Sequence, residues 1–254
     1  MFEKFQVQAL QVNLSPVLSL YSTGRKSGYV FESGHDVTSA VAVYKGFGIV
    51  STMCKNFIAG REITERLKKL LNDEGIQVSN VAQKIKEQIC FVSYSPQEDL
   101  VKTSQNNENV KQYLLPDGQT VEINSPRFMA PEILFNPAII DGYHDIPGIV
   151  SFLSQTIENS NIQVRNDLGK RILLSGGNTS FTGLAQRFSK EVKDFPKIAA
   201  LSENVQFYET ETKSESAWIG GSVLSELNSF CSSWIEKQEW NENGINIIIK
   251  KKLY

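Results

Sequence analysis

Cysteine and histidine are scarce in this chain of 254 residues: three cysteines (Cys54, Cys90, Cys231) and two histidines. The cysteines lie far apart and form no CxxC pair. That spacing argues against a disulfide framework and against structural zinc, and it fits a reducing compartment. Long apolar runs are missing too. None approaches the roughly 20 residues that a membrane-crossing helix needs, and the first residues show no charged-then-apolar leader. Charge of one sign is also lacking: the net charge is −2 and the pI about 5.8. No global basic field calls for nucleic acid or an acidic membrane. The basic run Lys250-Lys251-Lys252 is short and reads as a solvated terminus. These absences suggest a soluble, intracellular chain without a nucleic-acid or membrane partner.

What is present is enough apolar sequence, 41% of residues, to bury a substantial core in one or two domains. The stretch from Ile172 to Val192 organises the rest. Ile172-Leu173-Leu174 has the length of a buried strand, and Ser175-Gly176-Gly177-Asn178-Thr179 follows as a turn. Leu184, Ala185 and Phe188 then recur at helical spacing. Strand, diglycine turn and helix offer backbone N–H groups that suit a nucleotide's phosphates. An ordinary tight β-to-α turn has the same local signature.

Upstream, Ala9 to Leu14 alternates as a strand, and Ser15-Pro16 reads as an N-cap hydroxyl with proline at the first helical position, Gly24 ending that helix. Gly28–Phe31, Val37–Tyr44 and Phe47–Val50 read as three short strands. The turn Glu32-Ser33-Gly34-His35-Asp36 is a second candidate phosphate loop, or a plain hairpin. Arg61 to Asn72 is the clearest amphipathic helix, with Ile63, Leu67, Leu70 and Leu71 on one face and Gly75 at its end. Val81 to Cys90 is a further helix with Ile85 and Ile89 inward and Lys84, Lys86 and Glu87 outward. SQNNEN (104–109) reads as a polar loop. Pro116-Asp117-Gly118 joins the strands Tyr113–Leu115 and Thr120–Ile123 in a hairpin. The proline-punctuated run 124–137 is expected to wind over the surface. A helix from Gly148 to Ile157, a segment from Val164 to Gly169, and a strand at Val205–Tyr208 follow. The last helix places Leu224, Leu227 and Phe230 inward. The element order predicts an α/β fold with a mixed sheet and helices on its faces.

Several runs, in this order along the chain, resemble actins and actin-related proteins: RFMAPEILFNP, SGGNTSFTGLAQRFSKEV, AWIGGSV and WIEKQE. A sugar kinase or Hsp70-type ATPase of the same superfamily shares the phosphate-loop logic but not RFMAPEILFNP or AWIGGS. The resemblance covers nearly the whole chain and implies a ribonuclease H-like actin/Hsp70/hexokinase-type fold, as its C-terminal portion. It divides the chain into a remnant of the first large lobe (1–22 and 216–254), a second large lobe (23–58 and 143–215) and an inserted smaller α+β lobe (59–142). The family's N-terminal part, with its first phosphate loop, has no counterpart here. Leu224, Leu227 and Trp234 are therefore expected to stay exposed or to meet another partner.

The resemblance further implies ATP or ADP with Mg or Ca in a partial cleft. Ser33, Gly34 and Val37 match the retained phosphate loop. Gly60, Lys86, Glu87, Gly176 and Gly177 match the ribose and adenine side, with Asn178 and Phe181 at substituted positions near the diglycine turn. Glu32 stands where the family has an aspartate that holds the metal through water. Ser15 and Ser39 occupy the family's water-positioning sites, and neither titrates near neutral pH, so hydrolysis by the isolated chain is expected to be negligible. Ser214, beside Lys213, replaces a basic residue near the adenine. Tyr21, Gly24, Ile219, Val223, Leu224 and Leu227 match the groove into which family partners insert helices, or are ordinary core residues. The implied role is a divergent cytoskeletal or assembly subunit in the cytoplasm, with the nucleus as the alternative location. Actin-like subunits or actin-binding proteins are its implied partners. A non-catalytic scaffold subunit, or an incomplete actin chain, is the competing reading.

Overall fold

The computed structural model describes residues 1–251 apart from 79–80, 107–108, 169–170, 196–204 and 229. Asn107 and Glu108 of the polar run, Gly169 and Lys252 lie outside the described residues.

A six-stranded mixed sheet carries the fold. Strand β1 (Ala9–Leu10) and helix α1 (Ser15–Tyr21) precede it, and β2 (Gly28–Ser33), β3 (Thr38–Tyr44), β4 (Phe47–Gly48) and β5 (Cys54–Asn56) begin it. β3 lies antiparallel to β2, β4 and β5. The β3–β4 reversal is a two-residue turn at Lys45 (φ 52°) and Gly46 (φ 89°), whose paired left-handed conformations match the twist of a tight hairpin. Much later in sequence, β8 (Arg171–Ser175) enters parallel to β2, and β9 (Gln206–Glu209) parallel to β8. The order β4-β3-β2-β8-β9 puts the end of β2 beside the end of β8, with Glu32 opposite Ser175. Both candidate phosphate loops therefore leave the sheet at one edge.

Side-chain alternation sorts this sheet into two faces. Tyr29, Phe31, Ala40, Ala42, Ile172 and Leu174 point into the main core, against α2 (Gly60–Asp73), α6 (Ile149–Glu158) and α8 (Leu184–Asp194). Phe31 meets Phe188 of α8 edge-on, ring centroids 5.0 Å apart. Val30, Val41, Val43 and Leu173 point the other way, onto Val17 and Leu20 of α1. Each such fully buried aliphatic side chain contributes about 1.5–3 kcal/mol relative to exposure. Between α2 and α6 run α3 (Ala82–Ile89), α4 (Pro96–Asn106), the hairpin β6 (Lys111–Leu114) and β7 (Thr120–Ile123), and the short α5 (Pro126–Met129). α7 (Ile162–Leu168) leads into β8, and α9 (Ser216–Ser225) lies against α1. A third, small cluster joins Phe2 to Ile235 and Ile247, from β10 (Ile235–Glu236) and the helices α10 (Lys237–Asn243) and α11 (Asn246–Lys250).

Several expectations are corrected. The strand expected over Ala9–Leu14 is two residues long and pairs with β10, from the far end of the sequence. Ser15 is the first residue of α1 and not its N-cap; Leu14 is, and it has no polar side chain to cap with, while the Ser15 hydroxyl donates to Glu32. The third strand stops at Gly48, and β5 was not foreseen. The polar run from Ser104 continues α4 as far as Asn106. The proline-rich run is buried rather than superficial: Pro126, Phe128, Pro131, Glu132, Ile133 and Leu134 are inside. What permits this is Arg187, whose guanidinium donates to both Glu132 carboxylate oxygens at 2.5 and 2.9 Å. The helix expected to be the last is α9, which ends at Ser225 and is followed by two more, so Phe230 lies beyond it and only half-buried, with its ring against Trp234 at 5.5 Å. Of the residues expected to stay exposed or to meet another partner, Leu224 is buried within the chain itself, and Leu227 and Trp234 are half-buried.

Candidate nucleotide cleft

The two loops at the sheet edge and the helices α2 and α3 enclose a cleft of about 680 Å³. Glu32, Gly34 and His35 come from the first loop, Gly176, Gly177 and Asn178 from the second, and Phe181 from just beyond it. Gly60 opens α2, Lys86 and Glu87 stand on α3, and Cys90 and Ser214 complete the lining used here.

Close approach of the backbones decides the residue types. Gly176 has φ 86°, and a Cβ there would lie 2.4 Å from the Ser33 carbonyl oxygen, so only glycine lets the second loop cross the first. Gly177 faces open space, with nothing within 4 Å of an added Cβ. Asn178 then straps the loops together. Its amide nitrogen donates to Ser33 Oγ at 3.0 Å and to the Gly34 carbonyl at 2.7 Å. Ser33 is fully buried and donates its hydroxyl to Thr38 Oγ1 at 2.8 Å, because the Thr38 hydroxyl is itself donated to the Ile58 carbonyl at 2.7 Å. The first loop also seats α2. The Gly60 and Arg61 N–H groups donate to the Gly34 and His35 carbonyls at 2.9 and 2.7 Å, and Asp36 pairs with the Arg61 guanidinium.

These bonds revise the simple picture of a strand, turn and helix offering free N–H groups. Gly176 N–H donates to the Lys213 carbonyl at 2.9 Å. A 3-10 turn over Gly177–Ser180 separates the diglycine from α8, which starts at Leu184. The first N–H groups of α2 are taken by loop carbonyls. Ligand recognition falls instead to side chains and to the open surface at Gly177.

Lys86 is the side chain that sequence patterning misplaced. It was expected outward, yet it is 4% exposed, on the same helical face as Ala82, Ile85 and Ile89. Its ammonium donates to the Gly60 carbonyl at 2.9 Å. Burial draws its pKa down, with Glu87 and Cys90 opposing. Glu32 is the acidic counterpart. Its Oε1 accepts from Ser15 Oγ at 2.7 Å, while the buried Oε2 has no hydrogen-bond partner. Burial raises its pKa, and the Ser15 hydroxyl partly offsets this. Among the described residues no group of three or more His, Cys, Asp or Glu side chains could cage a metal. A cation in this cleft could be held through water by Glu32 Oε2, which is buried and has no hydrogen-bond partner.

Of the remaining candidates, Val37 is half-buried and accepts the Gly34 N–H at 2.9 Å. Ser39 is half-buried on β3 and, like Ser15 and Val37, is not part of the cleft lining. Ser214 lines the cleft, but the Lys213 ammonium is turned to the Thr179 carbonyl at 2.9 Å and to Glu209 at 3.2 Å. The groove candidates gather where α1 meets α9: Tyr21, Ile219 and Leu227 half-buried, Val223 40% exposed, Leu224 buried, and Gly24 (φ 70°) ending α1. Asn178's strap and the Ser15–Glu32 bond were not foreseen as contacts, although the residues themselves were singled out.

A parallel β2–β8 pair with two loops crossing at its end is a geometry that several nucleotide-binding folds could supply, so the assignment turns on sequence likeness over the whole chain. The sequence model of the family described as Actin matches residues 1–80 and 76–253. With loops, sheet and flanking helices all inside those two matched segments, the chain belongs to the actin family.

Proposed function

We propose that this chain forms one wall of an adenine-nucleotide cleft in a divergent actin-like cytoskeletal or assembly subunit. The observation that carries the reading is the strapped loop pair over Gly60 and Lys86. In this reading Gly176, Gly177 and Phe181 border the base and ribose, with Lys86 and Glu87 beside the adenosine. Ser33, Gly34 and Val37 build the phosphate loop, and Glu32 orders a Mg or Ca ion through water. Residues 59–142 act as the smaller lobe, inserted between the parts of the large lobe at 23–58 and 143–215, with 1–22 and 216–254 belonging to the other large lobe. Partners are actin-like subunits or actin-binding proteins, met in the cytoplasm.

Among the described residues lining the cleft, Lys86 is the one lysine or arginine, and two acids, Glu32 and Glu87, share the lining with it. Phosphates are therefore poorly neutralised, and ATP gains little over adenosine. Thermal unfolding with adenosine, Mg·ADP and Mg·ATP tests this. At several times Kd each ligand is expected to raise Tm by about 2 °C. Lys86→Met is expected to abolish the gain. No shift with any of the three would sink the reading.

The second reading is a non-catalytic scaffold subunit. One observation favours it: the Ser15 hydroxyl, at a water-positioning site by resemblance, is held by Glu32. Pelleting under polymerising salt separates the two, filaments supporting the assembly subunit and a species left in the supernatant the scaffold.

A further inference from the structure

A second cavity of about 680 Å³ flanks the segment that leads from β5 into α2. Its floor is apolar, with Ile58 and Phe152 each 3% exposed and Ile146 and Pro147 half-buried. Phe57, 70% exposed, stands at its mouth. Tyr143 lies across from α2 and donates its hydroxyl to Glu62 Oε2 at 3.3 Å. Asp145 adds a second, exposed carboxylate. Among the described residues of the lining Lys55 is the one cation, and its ammonium sits 5.3 Å from the centre of the Phe57 ring. Nothing in the nucleotide cleft uses these side chains.

The chemistry of the walls narrows the occupant. A phosphate or carboxylate would be repelled by Glu62 and Asp145. A wholly apolar group would strip water from those carboxylates without replacing it. What fits is a cation on an apolar stem, which can cover the floor with methylenes and present its charge at the rim. Arginine fits better than lysine because a planar guanidinium stacks on an aromatic face while pairing with a carboxylate. The volume has room for several residues rather than one side chain. The Lys55 ammonium over Phe57 shows that this ring face already accepts a cation, one supplied by the chain itself.

We propose that this second cleft binds an arginine-bearing peptide segment of a partner protein, its guanidinium between the Phe57 and Tyr143 rings and the Glu62 and Asp145 carboxylates, displacing Lys55 from the Phe57 face. Lys55 is then an internal competitor, and it lowers affinity both by occupancy and by like charge.

The test is an NMR titration of the isotopically labelled full chain with the peptide acetyl-Leu-Arg-Leu-amide. A matched peptide carrying citrulline in place of arginine keeps the shape and removes the charge. The arginine peptide is expected to shift the backbone amides of residues 54–58 and 143–146, and to bind about tenfold more tightly than the citrulline peptide. The double variant Glu62→Gln/Asp145→Asn is expected to erase that preference, whereas Lys55→Ala strengthens binding by about threefold. Exposed Lys55 and Asp145 and half-buried Glu62 allow these changes with the fold kept, checked by an unchanged amide spectrum away from the cleft. Equal binding of the two peptides, shifts confined to other residues, no shift at millimolar peptide, or weaker binding by Lys55→Ala would each overturn the proposal.

Discussion

A methyl group on Gly176 would press against the Ser33 backbone, with its oxygen at 2.4 Å, its carbonyl carbon at 2.7 Å and its nitrogen at 2.9 Å. The φ of 86° adds strain of its own for any residue with a side chain. Gly176→Ala is therefore expected to cost about 3 kcal/mol, read as a lower urea midpoint at unchanged m-value. Gly177→Ala, which meets nothing, is expected to cost under about 1 kcal/mol. The contrast between adjacent glycines separates backbone crossing from simple turn preference. Glu32 allows a prediction in pH. Burial raises its pKa in the folded chain, so above the ordinary carboxylate range the folded form holds its proton more tightly than the unfolded form. Stability from this group is then full at low pH and lost as pH rises through the raised value. Gln cannot titrate. In chelator-containing buffer the advantage of Glu32→Gln over the parent is expected to be nil at low pH and to grow with pH, toward about 1 kcal/mol. A constant difference across the range would show that Glu32 does not titrate differently in the fold.

At the scale of elements, helix α1 and helix α9 touch through Gly220. An added Cβ would sit 1.7 Å from the Leu18 carbonyl oxygen and 3.1 Å from the Ser22 nitrogen, so the two backbones must part to admit it. Gly220→Ala is expected to lower stability by about 3 kcal/mol, while Gly221→Ala, facing only the tip of Leu18 at 3.9 Å, is expected to be near neutral. Parallel thermal melts of the two variants check this. The AWIGGS run was legible as a family motif; which of its glycines meets α1 was not, because that depends on the rotation of one helix against another. Helix α2 was read almost to its ends, since Ile63, Leu67 and Leu71 repeat at helical spacing and all are fully buried. Helix α4 was not read from the sequence at all, for the opposite reason. Its apolar residues Leu100 and Val101 are 38% and 53% exposed, so no buried stripe marks it. Lys86 shows the limit of charge as a guide: spacing from Ala82 and Ile89 placed it inward, and a buried carbonyl partner let the spacing win.

For the molecule as a whole, the alternation of Tyr29, Val30 and Phe31 and of Ile172, Leu173 and Leu174 announces a sheet covered on both faces, and the structure sorts them that way. The candidate residues of the first cleft were singled out one by one, through the family's motifs. Their mutual bonds were not, because Asn178 and Ser33 are 145 positions apart and nothing local ties them. The second cleft left no trace at all in the sequence. Its walls come from 54–62 and 143–155, and neither run carries a motif.

The pairing of β1 with β10 sets how the molecule yields to force. The two strands are antiparallel, with Ala9 opposite Glu236 and Leu10 opposite Ile235. Handles attached near Phe2 and Lys250 thus pull at the same end of this short ladder, and its bonds break one after another instead of sharing the load. Ala9–Leu10 and Ile235–Glu236 would peel apart first. Tension would next reach α1 and α9, gripped at Gly220, and only then the parallel strands β2 and β8. The small terminal cluster thus acts as a tear strip, letting both ends extend while the two loops strapped by Asn178 stay closed.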